Sequence, residues 1–460
     1  MLYKYAQRQA LAGALLFCYN AMAQMPADTL IHLKDAIGLA EQHYHLLKAG
    51  KFEADAATKN IEIVKYSRLP TIDASYQANI ATANNLTGMF YPAGILPVSG
   101  PPSVNNNYTP ASGSAASVLL NWQAVTFGQR NAQINLAIAE ANTKKSAWQQ
   151  ELFRHKMNVI NTYLDVLLAY DAVTIHKHNI ERVEVNLTQT RVLANTGIKP
   201  GVDTALFLSE LSKAKIEWLQ AQQQLQIQQW LLAQLIVTNM LPVPSDTAFL
   251  ATLPLPVIGS DTSFANHPDI QYAQSQFLSS QSKELFLKKS YLPKLTVWGT
   301  GFARGSGFQQ NATIKTWDGL GLSRYNYGAG LQLAFPIMKY GEVKKQLQQQ
   351  AFFSKASTEI IEQTKAILTT QQRIANSSFN NSIAVATETQ QQLKSGQYAF
   401  GAMQIRYTTG LVNFSDLIQA QYNLLKAELD VKKAYWDAWK ALLLQAAVKG
   451  DERIFLNEIK

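Results

Sequence analysis

The chain has 460 residues with 47% hydrophobic content, room for about three ordinary domains and too apolar for broad disorder. Only 16% of residues are charged, and much of the polarity comes from glutamine runs at Gln222-Gln223-Gln224, Gln348-Gln349-Gln350 and Gln390-Gln391-Gln392. The net charge of +9 is spread along the chain with no block of five or six basic residues, which argues against nucleic acid as a partner.

Lys4 and Arg8, the short apolar run Leu11 to Tyr19 and the Ala21-Met22-Ala23 site predict a signal peptide over 1–23, cleaved before Gln24. Cys18, the only cysteine, lies in that segment after Phe17 rather than after a small residue, so it does not read as a lipid attachment site. The mature chain then has no cysteine, which excludes disulfides, thiolate metal sites and a cysteine nucleophile. No later stretch holds 18 consecutive apolar residues, so a membrane role has to use strands.

The rest of the chain reads as a duplication. Trp122 and Phe335, Phe127-Gly128 and Tyr340-Gly341, Gly197 and Gly410, Asp203 and Asp416, and Lys213-Ala214 and Lys426-Ala427 all recur at an offset of 213. Leu69-Pro70 matches Leu292-Pro293 at 223. A first structural repeat is assigned to 24–255 and a second, with a C-terminal tail, to 256–460. Each begins with a helix, at 29–68 and 267–291. An extended region follows, at 71–126 and 294–339. A long helix, a glycine turn and a returning helix complete the repeat.

Between Gly128 and Gly197 there are 68 residues without Gly or Pro. As one helix they span roughly 100 Å at ~1.5 Å per residue. The matching stretch to Gly410 contains Gly396 and Gly401, which are expected to kink or soften it. The returning helices carry 3.5-residue seams. One is Leu211, Ala214, Trp218, Ala221, Leu225, Gln228, Leu232 and Leu235. The other is Leu424, Ala427, Val431, Ala434, Ala438, Ala441, Gln445 and Val448.

The extended regions alternate with period two. Tyr327, Ala329, Leu331, Leu333 and Phe335 form one apolar series, and Val118, Leu120, Trp122 and Ala124 another. Turn-rich segments, from Gly88 to Asn107 and from Gly305 to Arg324, divide each region into a hairpin, giving four strands per chain. Four strands cannot close a barrel with an aqueous lumen, and an open edge in lipid leaves backbone groups unpaired. Strands in a membrane therefore require several chains. Soluble hairpins capping a helical protein remain the alternative.

Gly299-Thr300-Gly301 and Gly319-Leu320-Gly321 lack any nucleotide-binding pattern and read as sites of curvature or close packing. His43 and His45, and His176 and His178, sit two apart and diverge on a helix, so neither pair reads as a metal site. No nucleophile elbow or H-E-x-x-H is present. These readings point to no cofactor, no metal and no enzymatic activity.

The order of these features resembles the TolC-like outer-membrane efflux proteins over nearly all of residues 25–450. The signal peptide, the duplication and the Leu-Pro transitions contribute. So do Asn195-Thr196-Gly197-Ile198, Arg406-Tyr407-Thr408-Thr409-Gly410-Leu411 and Asn266-His267-Pro268. The resemblance implies a mainly α protein with a β-barrel portion. Three protomers would share a transmembrane barrel with four strands each, and duplicated long α-hairpins would build a tunnel into the periplasm. It implies a passive duct, partnered by a periplasmic adaptor and an inner-membrane pump of an efflux or type I secretion system, and sited in outer-membrane lipid. Thr196, Gly197, Ile198, Thr409, Gly410 and Leu411 match the adaptor-contacting turns. Asp416 matches the first of two constriction aspartates, Gln419 replaces the second, and Asp203 is the equivalent acid of the first repeat. Helix capping is the alternative role for both aspartates. A periplasmic coiled-coil adaptor or a secreted adhesin is the competing overall reading.

Overall fold

A computed structural model of the chain describes residues 29–82, 84, 104–255, 263–309 and 313–458. The predicted signal peptide and the turn-rich stretch from Gly88 to Pro102 lie outside the described residues. The chain forms two compact units, one built from 55–143 and 275–358 and the other from the remaining segments.

The first unit is centred on a four-stranded antiparallel sheet. Its strands are β2 (Thr71–Ala81), β3 (Ala111–Val125), β5 (Lys294–Ser306) and β6 (Arg324–Ala334), in the order β2-β3-β5-β6. Directly opposed residues share a face, so the register defines both surfaces. One face carries Ile72, Ala74 and Tyr76 opposite Leu120, Val118 and Ala116. It continues through Val297, Gly299, Gly301 and Ala303 to Leu331, Ala329, Tyr327 and Tyr325. The other face is mainly polar, with Ser75, Ser117, Asn121, Thr296, Thr300, Asn326 and Gln332, and also carries Leu119, Trp298 and Phe302. The pairing shifts between Gln123 and Val125, so Val125 rather than the expected Ala124 faces Leu295. This is a β-bulge, which sequence alternation alone does not register.

Trp298 packs closely over one glycine. A β-carbon at Gly330, its cross-strand partner, would fall 2.8 Å from the indole ring. At Gly319 a β-carbon would lie 1.8 Å from the carbonyl oxygen of Ser112, and the Ser114 hydroxyl donates to the Gly319 carbonyl at 2.7 Å. The Gly-Leu-Gly motif is therefore a close backbone approach.

The second unit is helical. The long helices α3 (Gln129–Asn195) and α6 (Lys339–Thr408) extend into both units, and each is followed by a returning helix, α4 (Gly201–Ile236) or α7 (Phe414–Lys449). Gly396 and Gly401 do not interrupt α6. A β-carbon at Gly396 would meet the Leu424 backbone at 3.7 Å, so this position serves helix approach. Every predicted seam residue of α4 and α7 is buried or half-buried. One core joins Val159, Ile160, Tyr163 and Leu164 of α3 to Tyr435, Trp439 and Leu442 of α7.

The helix expected over 267–291 is the single helix α5 (Pro268–Ser290), but the one expected over 29–68 is instead three elements: β1 (Thr29–Ile31), α1 (Leu33–His43) and α2 (His45–Tyr66). The break falls at Tyr44, whose backbone is extended and whose ring stacks on His155 with centroids 3.8 Å apart. Upstream, β1 pairs in parallel with β4 (Pro242–Pro244).

Asp246 fastens this start of the chain. His32, at the N-cap of α1, makes no side-chain capping bond of its own. The Asp246 carboxylate accepts from the Leu33 N–H at 2.8 Å, from the Tyr163 hydroxyl at 2.8 Å and from His32 Nδ1 at 2.7 Å. Burial alone would raise the Asp246 carboxyl, but these three donors outweigh it and hold it below the usual carboxylate range. A lowered carboxylate stabilises above its unfolded value and loses that contribution as pH falls through its folded value. Unfolding followed by circular dichroism is thus expected to show stability falling below roughly pH 4. The Asp246→Ala variant is expected to be weaker by about 1.5–3 kcal/mol at neutral pH and to show a shallower acid dependence. Equal stability of the two proteins at neutral pH would refute this role.

Candidate functional site

The two helical turns and the side chains beneath them form the candidate site. Gly197 and Gly410 close the turns with φ of +76° and +83°, a region that favours glycine. The Ile198 and Leu411 N–H groups bond back to the Leu193 and Arg406 carbonyls, which satisfies the helix ends. Thr196 and Thr409 return their hydroxyls to carbonyls in the preceding helical turn. Thr196, Gly197, Ile198, Thr409, Gly410 and Leu411 are all exposed.

The two equivalent aspartates do different things. Asp416 is exposed and closes a capping box: its N–H donates to Asn413 Oδ1 at 2.9 Å, and the Asn413 N–H donates to Asp416 Oδ2 at 3.3 Å. Gln419 is exposed and donates to Asn423 at 3.0 Å. Asp203 is buried, and its Oδ2 accepts from the Tyr407 hydroxyl at 3.0 Å.

Two substitutions between the repeats account for this divergence. The counterpart of Asn413 is Pro200, which offers no side-chain cap to α4 and leaves the Asp203 carboxylate uncommitted to its own helix end. The counterpart of Tyr407 is Ala194, so the first repeat has no phenol to offer Asp416.

The Tyr407–Asp203 contact is enclosed on several sides. Phe207 meets Tyr407 and Phe414 edge-on, at centroid distances of 5.9 and 4.8 Å. Thr190 donates weakly to the Tyr407 oxygen at 3.4 Å. Lys199 Nζ sits 4.4 Å from the Tyr407 ring centre and donates to the Val412 carbonyl at 2.7 Å, tying one turn to the other. Burial, and after it the Asp203 carboxylate, push the Tyr407 phenol up to about 12, while the Thr190 bond works the other way. The phenol therefore stays protonated as a donor at neutral pH.

Further from the turns, polar pairs fix the register of the hairpins. Arg182 makes a bidentate pair with Glu428, both bonds at 2.7 Å. Gln421 links Asn186 to Asn179 at 3.2 and 3.1 Å. Tyr422 bridges Glu210 and Lys213. Of the glutamine runs, Gln350 donates to Ser280 and Gln390 to Tyr435, so these two join helices.

The 213-residue offset pairs Asp203 with Asp416 but carries no signal for Tyr407, although Tyr407 lies within the Arg406-to-Leu411 turn motif. Phe207 could have been found by running the α4 seam one step back from Leu211.

The family model described as outer membrane efflux protein matches residues 36–237 and 260–443. No curated protein matches the chain in sequence. Among solved structures, the CmeC outer membrane channel of Campylobacter jejuni is 14% identical with a TM-score of 0.72, covering 91% of this chain and 85% of that one. The open state of the MtrE outer membrane channel of Neisseria gonorrhoeae is 14% identical with a TM-score of 0.70, covering 91% and 89%. The outer membrane protein VceC of Vibrio cholerae is also 14% identical with a TM-score of 0.70, covering 91% and 96%. At these identities the likeness establishes the fold.

Replacing Tyr407 with Phe removes the donor and leaves the buried Asp203 carboxylate without it, a loss of about 1–3 kcal/mol. Amide hydrogen exchange across both turns is expected to speed up in the variant, and unchanged exchange would rule the contact out as a restraint. High pH should act in the same direction. A raised phenol keeps its contribution below its unfolded value near ~10 and loses it as pH rises through about 12. Tyrosinate absorbance should report that loss.

Proposed function

The chain belongs to the outer membrane efflux protein family, and from that premise we propose that it is the outer-membrane duct of a tripartite efflux or type I secretion system. It conducts solutes passively, with energy supplied by an inner-membrane pump through a periplasmic adaptor. In this reading a cleavable signal peptide exports the chain and three copies assemble. Each copy contributes its four strands to one barrel and its helical hairpins to a periplasmic tunnel.

The observation that carries this reading is the sheet. It has a continuous apolar face, a mainly polar opposite face, and, among the described residues, two unpaired edges at β2 and β6. Tyr76, Tyr325 and Tyr327 stand exposed towards one end of the apolar face, and Trp122 towards the other. This is the aromatic banding of a lipid-facing strand surface. No helix among the described residues is long and apolar enough to cross a membrane. Ile216, Leu219, Ile227 and Trp230 of α4 are about half exposed, whereas of their counterparts in α7 Leu443 is buried and Leu429, Lys432 and Lys440 are partly buried. An exposed apolar stripe of that kind fits a neighbouring protomer.

The exposed turns Thr196-Gly197-Ile198 and Thr409-Gly410-Leu411 are the proposed adaptor contacts. The proposed gate is the level of Asp203, Asp416 and Gln419, and the Tyr407–Asp203 bond is the restraint released on opening. Asp416 acts in it through the turn that it caps.

The detergent-extracted protein is expected to have the mass of a trimer, to change electrophoretic mobility on heating, and to give small discrete conductances in planar bilayers. A soluble monomer without conductance would sink this reading. Asp416→Ala, which removes the carboxylate half of the capping box and leaves the Asn413 cap, should raise the conductance. Asp416→Asn keeps a capping acceptor and should stay near the original value. Equal widening by both variants would assign the effect to the charge instead.

A further inference from the structure

We propose that Arg304 and Arg324 form an anion-binding site at the outer end of the strand sheet, through which the duct selects for solutes bearing phosphate or carboxylate groups. The two arginines are directly opposed in the register of β5 and β6 and are exposed. Like charges placed opposite one another on neighbouring strands repel, so the pair is a local cost unless an anion lies between or above them.

Among the described residues no carboxylate neutralises them. Across 71–126 and 294–338 the charged residues are Asp73, Lys294, Arg304, Lys315, Asp318 and Arg324. Lys315 and Asp318 pair with each other at 3.6 Å. Asp73 and Lys294 lie near the opposite ends of their strands, close to the helices. Among the described residues neither arginine has a carboxylate partner.

The register also fixes the side on which the site opens. Arg304 follows Thr300 and Phe302 at alternate positions, and Arg324 precedes Asn326. Both arginines therefore lie on the polar face, away from Tyr325 and Tyr327. A lipid phosphate would approach from the apolar face, so the ligand is a solute. Guanidinium groups suit this role because they grip planar and tetrahedral oxyanions with two donors each.

Placement of this face in a lumen rests on the duct reading, where three copies would bring six guanidinium groups into one ring. Binding itself does not need that reading, so two measurements separate the failures. The purified protein in detergent is titrated calorimetrically with inorganic tripolyphosphate, and the same ion is added to each chamber of a planar bilayer.

The wild type should bind and should be blocked from one side. The R304Q/R324Q variant should bind at least about tenfold more weakly and resist block. Exchange of both arginines for lysine should keep part of the affinity, because the charge remains and the two-donor fork is lost. If the double glutamine variant does not fold, the single variants Arg304→Gln and Arg324→Gln each serve, and each should weaken binding. Undiminished binding in the glutamine variants, or no binding by the wild type, overturns the proposal. Arginine-dependent binding without any conductance upholds the site and removes the duct.

Discussion

The backbone of β2 and β6 sets the terms for the molecule. Each strand has 11 residues and lies at an edge of the sheet, so among the described residues one row of amide and carbonyl groups on each pairs with no other strand. In water such edges are tolerable, but beside lipid each unpaired group costs several kcal/mol. The apolar face and the open edges are therefore compatible only when further copies pair the edges. The exposed apolar residues of α4 pose the same demand in the helical unit. Both units are incomplete surfaces, and this shared incompleteness connects the fold to the proposed assembly.

Within the helical unit, specificity comes from polar contacts set into long, weakly patterned seams. Alanine-rich 3.5-residue stripes allow helices to approach but permit sliding, because one small residue resembles the next. The Arg182–Glu428 fork and the Asn186–Gln421–Asn179 chain have one satisfactory register each. At the turns the same logic has diverged between the repeats. A carboxylate at equivalent positions caps a helix in one copy and receives a buried phenol in the other. The difference is carried by Asn413 against Pro200 and Tyr407 against Ala194.

Much of this was legible in the sequence because it is periodic. The seams of α4 and α7 are where their spacing places them, and the turn glycines have the backbone angles their positions suggest. The strands begin and end near the expected residues, since alternation and Leu-Pro boundaries are local signals. What escaped is non-periodic or distant. The break at Tyr44 depends on stacking with His155, 111 positions away along the chain. The bulge after Gln123 depends on the partner strand. Tyr407 sat in plain view in a recognised motif, but its role depends on where the other hairpin puts Asp203.

The cap on α1 carries a consequence for the order in which the molecule assembles. The carboxylate that completes this helix belongs to residue 246, more than two hundred positions downstream of Leu33, and β1 likewise waits for β4. Closing so long a loop is entropically slow compared with forming helical turns. A chain emerging N-terminus first therefore cannot finish its own beginning until the whole first repeat has followed. The segment of β1 and α1 stays open during that interval, which suits the proposed export of the chain across one membrane before it matures at another.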